Sequence, residues 1–198
     1  MQRTIICSLA FILFATITRA QSPSGVPVFK ITPIDSQIKF DVEASVDIKG
    51  SFDKWNATLT FTSTDVTTGT LDIEIQAESV DTGSGMKNNK LKGKDFFDVK
   101  ANPLITFKST KIEQTGPDDF AVDGNFTIRG VSKPEKLLLK VSRDATGSGL
   151  ISGTMAFDRK QYGMNSGIPF IKIANRVEVS VALKAKRVSG PPMVLKKY

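Results

Sequence analysis

The chain has 198 residues, with 27 Lys and Arg against 20 Asp and Glu, a formal net charge of +7, no histidine and one cysteine. That mild basic excess is interleaved with acids, which suits solubility or attraction to an anionic surface, and no zinc-finger spacing or arginine–aromatic alternation marks a nucleic-acid module. Without histidine there is no Ser-His or Cys-His nucleophile pair and no imidazole metal site.

Met1-Gln2-Arg3 is a short basic start, followed by an apolar run over residues 5–17 and by Thr18-Arg19-Ala20, with small residues three and one before a cut. This is the layout of a secretory signal peptide, too short to span a bilayer comfortably. Residues 1–20 are expected to be removed, which places the protein in the periplasm or, alternatively, outside the cell. Cys7 leaves with them and is too early in the run to read as a lipid-attachment cysteine. The mature chain then has no thiol, and with Arg3 and Arg19 gone its balance is 25 basic against 20 acidic residues. It must be held together by one hydrophobic core, for which its length is sufficient.

Residues 21–27, rich in Ser, Pro and Gly, read as a flexible leader, and residues 28–188 as one domain of strands. Ile38, Phe40, Val42, Ala44, Val46 and Ile48 fall on one face, with a turn at Gly50. Phe52 and Trp55 lead into Ala57, Leu59 and Phe61, and after Thr67-Thr68-Gly69 come Leu71, Ile73, Ile75 and Ala77. Such period-two alternation marks strands with one wet face.

The alternation stops over residues 79–110. Asp81 or Thr82 could cap a short helix of about two turns over residues 86–92. Asp95-Phe96-Phe97-Asp98 follows, and Pro103 restarts an extended chain. The insertion reads either as the lid of a barrel or as a connection whose Phe96 and Phe97 fill the end of the core. Lys87, Lys90 and Lys94 lie at spacings of three and four, so on a helix they would share a face, either solvated or turned toward an anionic head group.

Alternation then resumes through Ile105 and Phe107, through Phe120, Val122, Phe126 and Ile128 up to Gly130, and through Leu137, Leu139 and Val141. Residues 150–159 make a further strand, 162–169 a loop, and Val177, Val179, Val181 and Leu183 the last strand. Residues 189–198 read as a frayed basic tail. The sum is about eight antiparallel strands, which can close into a barrel or stack as a sandwich. A barrel of eight can be filled by side chains or can hold one small ligand.

The order of Ile34-Asp35-Ser36, Gly50-Ser51-Phe52, Ser79-Val80-Asp81-Thr82-Gly83, Asp95-Phe96-Phe97-Asp98, Pro103 with Ile105-Thr106-Phe107, residues 122–131, Tyr162-Gly163 and Val177-Glu178-Val179 resembles the YceI family of exported lipocalin-like proteins. The resemblance implies an all-β, antiparallel, eight-stranded lipocalin-like barrel with a short helical lid and an apolar lumen. Such a lumen holds an isoprenoid chain, polyprenyl or quinone-type, for carriage or storage. From the residues themselves, with no histidine in the chain, no catalysis and no cofactor are expected. The family usually carries histidines in the first long strand and the lid, and an arginine in the lid. Here Lys87, Asn88 and Lys90 occupy that part of the lid. Candidate ligand-lining residues are Phe40, Val42, Phe61, Ile73, Ile75, Phe107, Phe126, Leu139, Val179 and Val181, with Phe96 and Phe97 at the mouth and Lys87, Lys90 and Lys94 as head-group contacts. The expected partner is an isoprenoid lipid or similar amphiphile, with transient contact to a membrane surface and none to nucleic acid. The competing reading is a non-catalytic structural or stress-related interaction protein with a side-chain-filled barrel. Asp95/Asp98 and Asp118/Asp119 sit where Asp commonly makes local turn hydrogen bonds, and no motif frames a Ser-Lys dyad. The Asn56-Ala57-Thr58 and Asn125-Phe126-Thr127 sequons are read as chance.

Overall fold

The structure, a computed structural model, describes residues 25–45, 48–143, 148–167 and 171–198. The expected signal peptide, most of the expected leader, Cys7 and Val46 lie outside the described residues. Ten strands form one antiparallel sheet: β1 (Val28–Ala44), β2 (Ile48–Phe52), β3 (Trp55–Thr60), β4 (Thr70–Gln76), β5 (Val80–Asp81), β6 (Leu104–Gln114), β7 (Asp119–Ile128), β8 (Val131–Arg143), β9 (Ser148–Asp158) and β10 (Ile173–Ser189). The order is β3-β4-β6-β7-β8-β9-β10-β1-β2-β5, and one helix, α1 (Gly85–Lys92), interrupts it.

Ten strands replace the expected eight because two of them are broken. Only Asp53 and Lys54 separate β2 from β3, and a 3-10 turn at Ala77–Ser79 separates β4 from β5. Hydrogen bonds from Asp53 N to the Ser79 carbonyl (3.2 Å) and from Gln76 N to the Lys54 carbonyl (2.9 Å) carry the ladder across both breaks. The β2/β3 and β4/β5 pairs are thus two bent strands of one ribbon. That ribbon joins β1 on one side and β6 on the other, so the sheet curls round into a barrel rather than stacking as a sandwich. A register slip between Thr32 and Gln37, with Asp35 at φ 62°, bends β1 as a bulge does. Its first half then lies against β3, where the Phe29 and Phe61 rings are 5.6 Å apart.

Three boundaries differ from the sequence reading. The first long alternation breaks after Ala44, and Gly50 is not a turn but the cross-strand partner of Phe40 within β2. A Cβ at Gly50 would lie 2.6 Å from the Phe40 ring, so the glycine is there to let the ring pass. Arg129 and Gly130, both at positive φ, make a tight two-residue hairpin, so β8 starts at Val131 and not near Lys136. Pro134 is tolerated inside β8 because the β8–β9 ladder begins only at Leu138.

The third difference is the C-terminal tail, which is docked. Val194 N donates to the Thr64 carbonyl (2.8 Å), Leu195 packs against the core, and Lys196 N donates to Gln114 Oε1 (2.8 Å). The basic composition hid an apolar Pro192-Met193-Val194-Leu195 segment whose anchor is 82 residues away.

Candidate functional site: a lidded apolar lumen

The lid is built by local hydrogen bonds rather than by amphipathicity. Asp81 Oδ1 accepts from Gly83 N (2.9 Å) and from Asn88 Nδ2 (3.1 Å). Asn88 Oδ1 accepts from Thr82 N (2.8 Å) and Thr82 Oγ1 (2.7 Å). These bonds hold the Asp81 carboxyl below its ordinary range, the Gly83 amide first and Asn88 second. The cap of α1 is Ser84, three residues later than Asp81 and two later than Thr82, and Gly93 ends the helix. Lys94 therefore lies beyond the helix, exposed, and does not share a face with Lys87 and Lys90.

Of the helix residues only Leu91 is buried, while Met86 is 84% exposed. After α1, Phe96 N bonds to the Gly93 carbonyl and Phe97 N to the Leu91 carbonyl, which turns both rings inward. Phe97 meets Phe52 at 5.8 Å, and Phe52 meets Phe40 at 5.7 Å. Lys90 Nζ pairs with Asp95 at 2.6 Å and sits 5.7 Å over the Phe96 ring. Its hydrogen bond and charge lower the Asp95 carboxyl's pKa.

Beneath the lid is a cavity of about 480 Å³, walled almost entirely by carbon. Among the expected lining residues, Phe40, Val42, Ile75, Phe96, Phe97, Phe126 and Val179 face it, and Lys87 and Lys90 stand at its rim. Ile73, Phe107 and Val181 lie in the packed middle of the barrel, and Phe61 and Leu139 line a separate cavity at the far end. The middle closes because bulky residues settle over strand glycines. Gly153 faces Leu139 and Val181 on its two neighbours, and a Cβ there would lie 2.5 and 2.8 Å from them. Gly124 likewise admits the Phe107 ring. A larger concavity of about 830 Å³ lies on the outer wall among Lys39, Asp41, Lys136 and Glu178, wide open to solvent and not enclosed.

Several lining residues fell outside the sequence reading, among them Phe52, Ile105, Phe157 and Met164, and the charged one among those is Arg159. Arg159, 6% exposed, donates from Nε to the Ala174 carbonyl (3.0 Å) and from Nη1 to the carbonyls of Met164 and Ser166. No carboxylate among the described residues pairs with it. Its signal was present, because Arg159 continues the inward phase of Ile151, Gly153, Met155 and Phe157. Beside it Tyr162 is fully buried, edge-on to Phe126 and Phe157, and its hydroxyl donates to Glu135 (2.9 Å).

A YceI-like domain profile matches residues 29–185. The chain belongs to the YceI-like family. A UPF0312 protein of Pectobacterium atrosepticum is 34% identical over 92 residues, 46% of this YceI-like chain and 47% of that protein. One of Yersinia pestis is 35% identical over 93 residues, 47% and 48% of the two chains. The match thus spans about half the length of these curated relatives. Among solved structures, Burkholderia cenocepacia BcnA superposes with a TM-score of 0.71 at 24% identity, over 78% of this chain and 99% of that one. A polyisoprenoid binding domain from Saccharophagus degradans superposes with a TM-score of 0.64 at 15% identity, over 81% and 99%. At these identities the likeness shows the fold, a YceI-like all-β barrel. Among the described residues of this YceI-like chain, no three Asp, Glu, His or Cys side chains gather as a metal site.

Proposed function

We propose that the lid-end cavity holds the hydrocarbon tail of an isoprenoid lipid. On this reading the protein is exported to the periplasm, or secreted, and carries or stores that lipid without acting on it chemically. The observation that carries the reading is the cavity itself. It is about 480 Å³, apolar, and covered by a short helix and two phenylalanines, within the range of about 300–1,000 Å³ common for small-molecule sites. Its cations, Lys87 and Lys90 at the rim and Arg159 in the wall, suit a lipid with an anionic or strongly polar head group. The polyisoprenoid-binding neighbour of the same fold supports the choice of ligand class. Burial contributes about 25 cal/mol per Å², so an isoprenoid tail needs few polar contacts to bind despite the cost of association. The absence of histidine and the local turn roles of the carboxylates favour binding over catalysis.

The packed middle of the barrel favours a second reading, a largely filled barrel that acts through its outer surface. Organic extraction of the natively exported protein, followed by mass spectrometry, separates the two. A near-stoichiometric isoprenoid supports carriage, whereas an empty extract and no uptake of added lipid support the filled barrel. Val179→Trp adds a second discriminator. If the cavity is used, the ligand-free melting temperature stays within a few degrees and the stabilisation by added isoprenoid disappears. A steep loss of ligand-free stability, with no ligand-dependent shift in the parent, sinks the carrier reading. Export is checked by intact mass, which should place the N-terminus at Gln21, and retention of Cys7 would overturn it.

A further inference from the structure

The far end of the barrel contains a second cavity of about 280 Å³. It is lined by apolar side chains including Phe61, Leu139, Ile151 and Ala185, and covered by Met193 and Leu195 of the C-terminal segment. That is nearly twice the size of an engineered apolar cavity of about 150 Å³ that stays dry and binds benzene. The two cavities share no lining residue, and the fully buried Val122, Leu137 and Leu183 line neither of them.

Two features point to a ligand. The inward apolar phase of β8, Leu137, Leu139 and Val141, ends at Arg143, and that of β10, Val181, Leu183 and Ala185, ends at Arg187. Both arginines border the cavity, Arg187 half-buried and Arg143 exposed, so the apolar chamber ends in two guanidinium groups at its mouth. Arg143 pairs with Asp118. Arg187 donates to the Gly190 carbonyl (2.6 Å) and has no carboxylate partner among the described residues. One positive charge is left uncompensated at the mouth.

The second feature is the cover. Residues 190–198 lie outside the span of the family match. Besides Arg187 on the Gly190 carbonyl, they are held by one isolated bridge between Asp65 and Val194, the Val194 amide on Thr64, Gln114, 2% exposed, bonded to both backbone groups of Lys196, and the Tyr198 hydroxyl donating to the Gln114 carbonyl. Val194 itself is 63% exposed. A segment with so few anchors can lift locally at far less cost than the barrel can open.

We propose that this end of the barrel is a second ligand site. It takes a single-chain amphiphile with a monoanionic head, its alkyl chain in the cavity, its head against Arg187, and the C-terminal segment as a movable cover. The site is independent of the isoprenoid reading, since it shares no wall with the lid-end cavity.

Methionine-methyl NMR on the full chain tests it directly, because Met193 lines this cavity while Met86 and Met164 line the other. Decanoate below its micellar concentration should shift the Met193 methyl saturably and leave Met86 and Met164 unmoved. Arg187→Gln should weaken decanoate tenfold or more and leave the neutral decanol unchanged. Ala185→Leu, which fills the cavity, should abolish the Met193 response to both. Shifts confined to Met86 and Met164, no saturable shift at Met193, or equal losses of decanoate and decanol in Arg187→Gln would each overturn the proposal. Arg187 is only half-buried, so its variant remains readable if Ala185→Leu does not fold.

Discussion

At Arg159 a charged side chain serves the structure and the cavity at once. Its guanidinium ties β9 to β10 and to the turn after Tyr162 through three backbone carbonyls, while its position borders the lid-end lumen. Arg159→Leu should destabilise the fold by about 3 kcal/mol, because buried carbonyls lose their donors at about 1–3 kcal/mol each. Arg159→Lys should rescue little of this, since one ammonium cannot reproduce the planar fork. Urea unfolding measures both, and a loss below experimental error would remove the structural role. Tyr162 makes a pH prediction. Burial, and then the hydrogen bond to Glu135 and its charge, push the phenol's pKa well above its ordinary value. Below about pH 10, the unfolded-state pKa, the phenol is neutral in both states and this contribution to stability is complete. As pH rises past that value the unfolded chain ionises first, and the contribution is lost progressively up to the folded-state pKa. Tyr162→Phe should therefore show a shallower decline in stability above pH 10 than the parent. Parallel curves would show that the tyrosine is not the group responsible.

The lid and the tail are both short elements with little intrinsic stability, and each closes one end of the same barrel. The eight residues of α1 bury only Leu91, so the helix depends on the Asp81–Thr82–Asn88 network and on Phe96 and Phe97. Asn88→Ala should loosen the lid, seen as faster amide exchange over residues 82–92 with a change in global stability of about 1 kcal/mol. Unchanged exchange would mean that the phenylalanines alone hold it. Lys87→Glu with Lys90→Glu should weaken a polyprenyl phosphate and flatten its salt dependence, while a neutral quinone binds as before. Equal losses for both lipids would assign these lysines to the lid's fold. At the residues themselves, the i, i+3 spacing of Lys87 and Lys90 was readable in sequence. The end of the helix was readable as well, since the two-turn helix expected over residues 86–92 stops at Lys92 as observed, and only the extension of its face to Lys94 fails.

Across the whole molecule, the barrel is neither a hollow tube nor a solid core. Among the described residues it holds two apolar chambers separated by a packed middle, where Phe107, Leu139 and Val181 close over Gly124 and Gly153. Leu137→Ala should open that middle. The expected cost is about 2–5 kcal/mol of stability, together with a gain in binding for long isoprenoids relative to short ones. Entry of the longer tail into the far chamber would appear as a new Met193 methyl shift. If the preference between long and short chains does not change, the middle does not limit tail length.

The sequence by itself determined the class of fold. Strict alternation such as Leu71, Ile73, Ile75 and Ala77 can bury only one face of a strand, and repetition of that pattern without helical periodicity leaves an antiparallel sheet. It also placed the lid, because the alternation visibly fails between Ser79 and Pro103. What alternation cannot say is how high along the barrel each inward residue sits. Phe40, Phe107 and Phe61 look equivalent in sequence, yet one lines the lid-end cavity, one the packed middle and one the far cavity. The bend between β2 and β3, and the docking of residues 190–198 onto Gln114, depend on backbone hydrogen bonds between segments distant in the chain. Such bonds use atoms that every residue carries, so side-chain identity does not announce them. For the same reason Gly50 read as a turn until its cross-strand neighbour was in place, and Gly153 carried no mark within its expected strand. Only the curled sheet brings Phe40 over one and Leu139 with Val181 over the other, and that close packing is what divides the lumen in two.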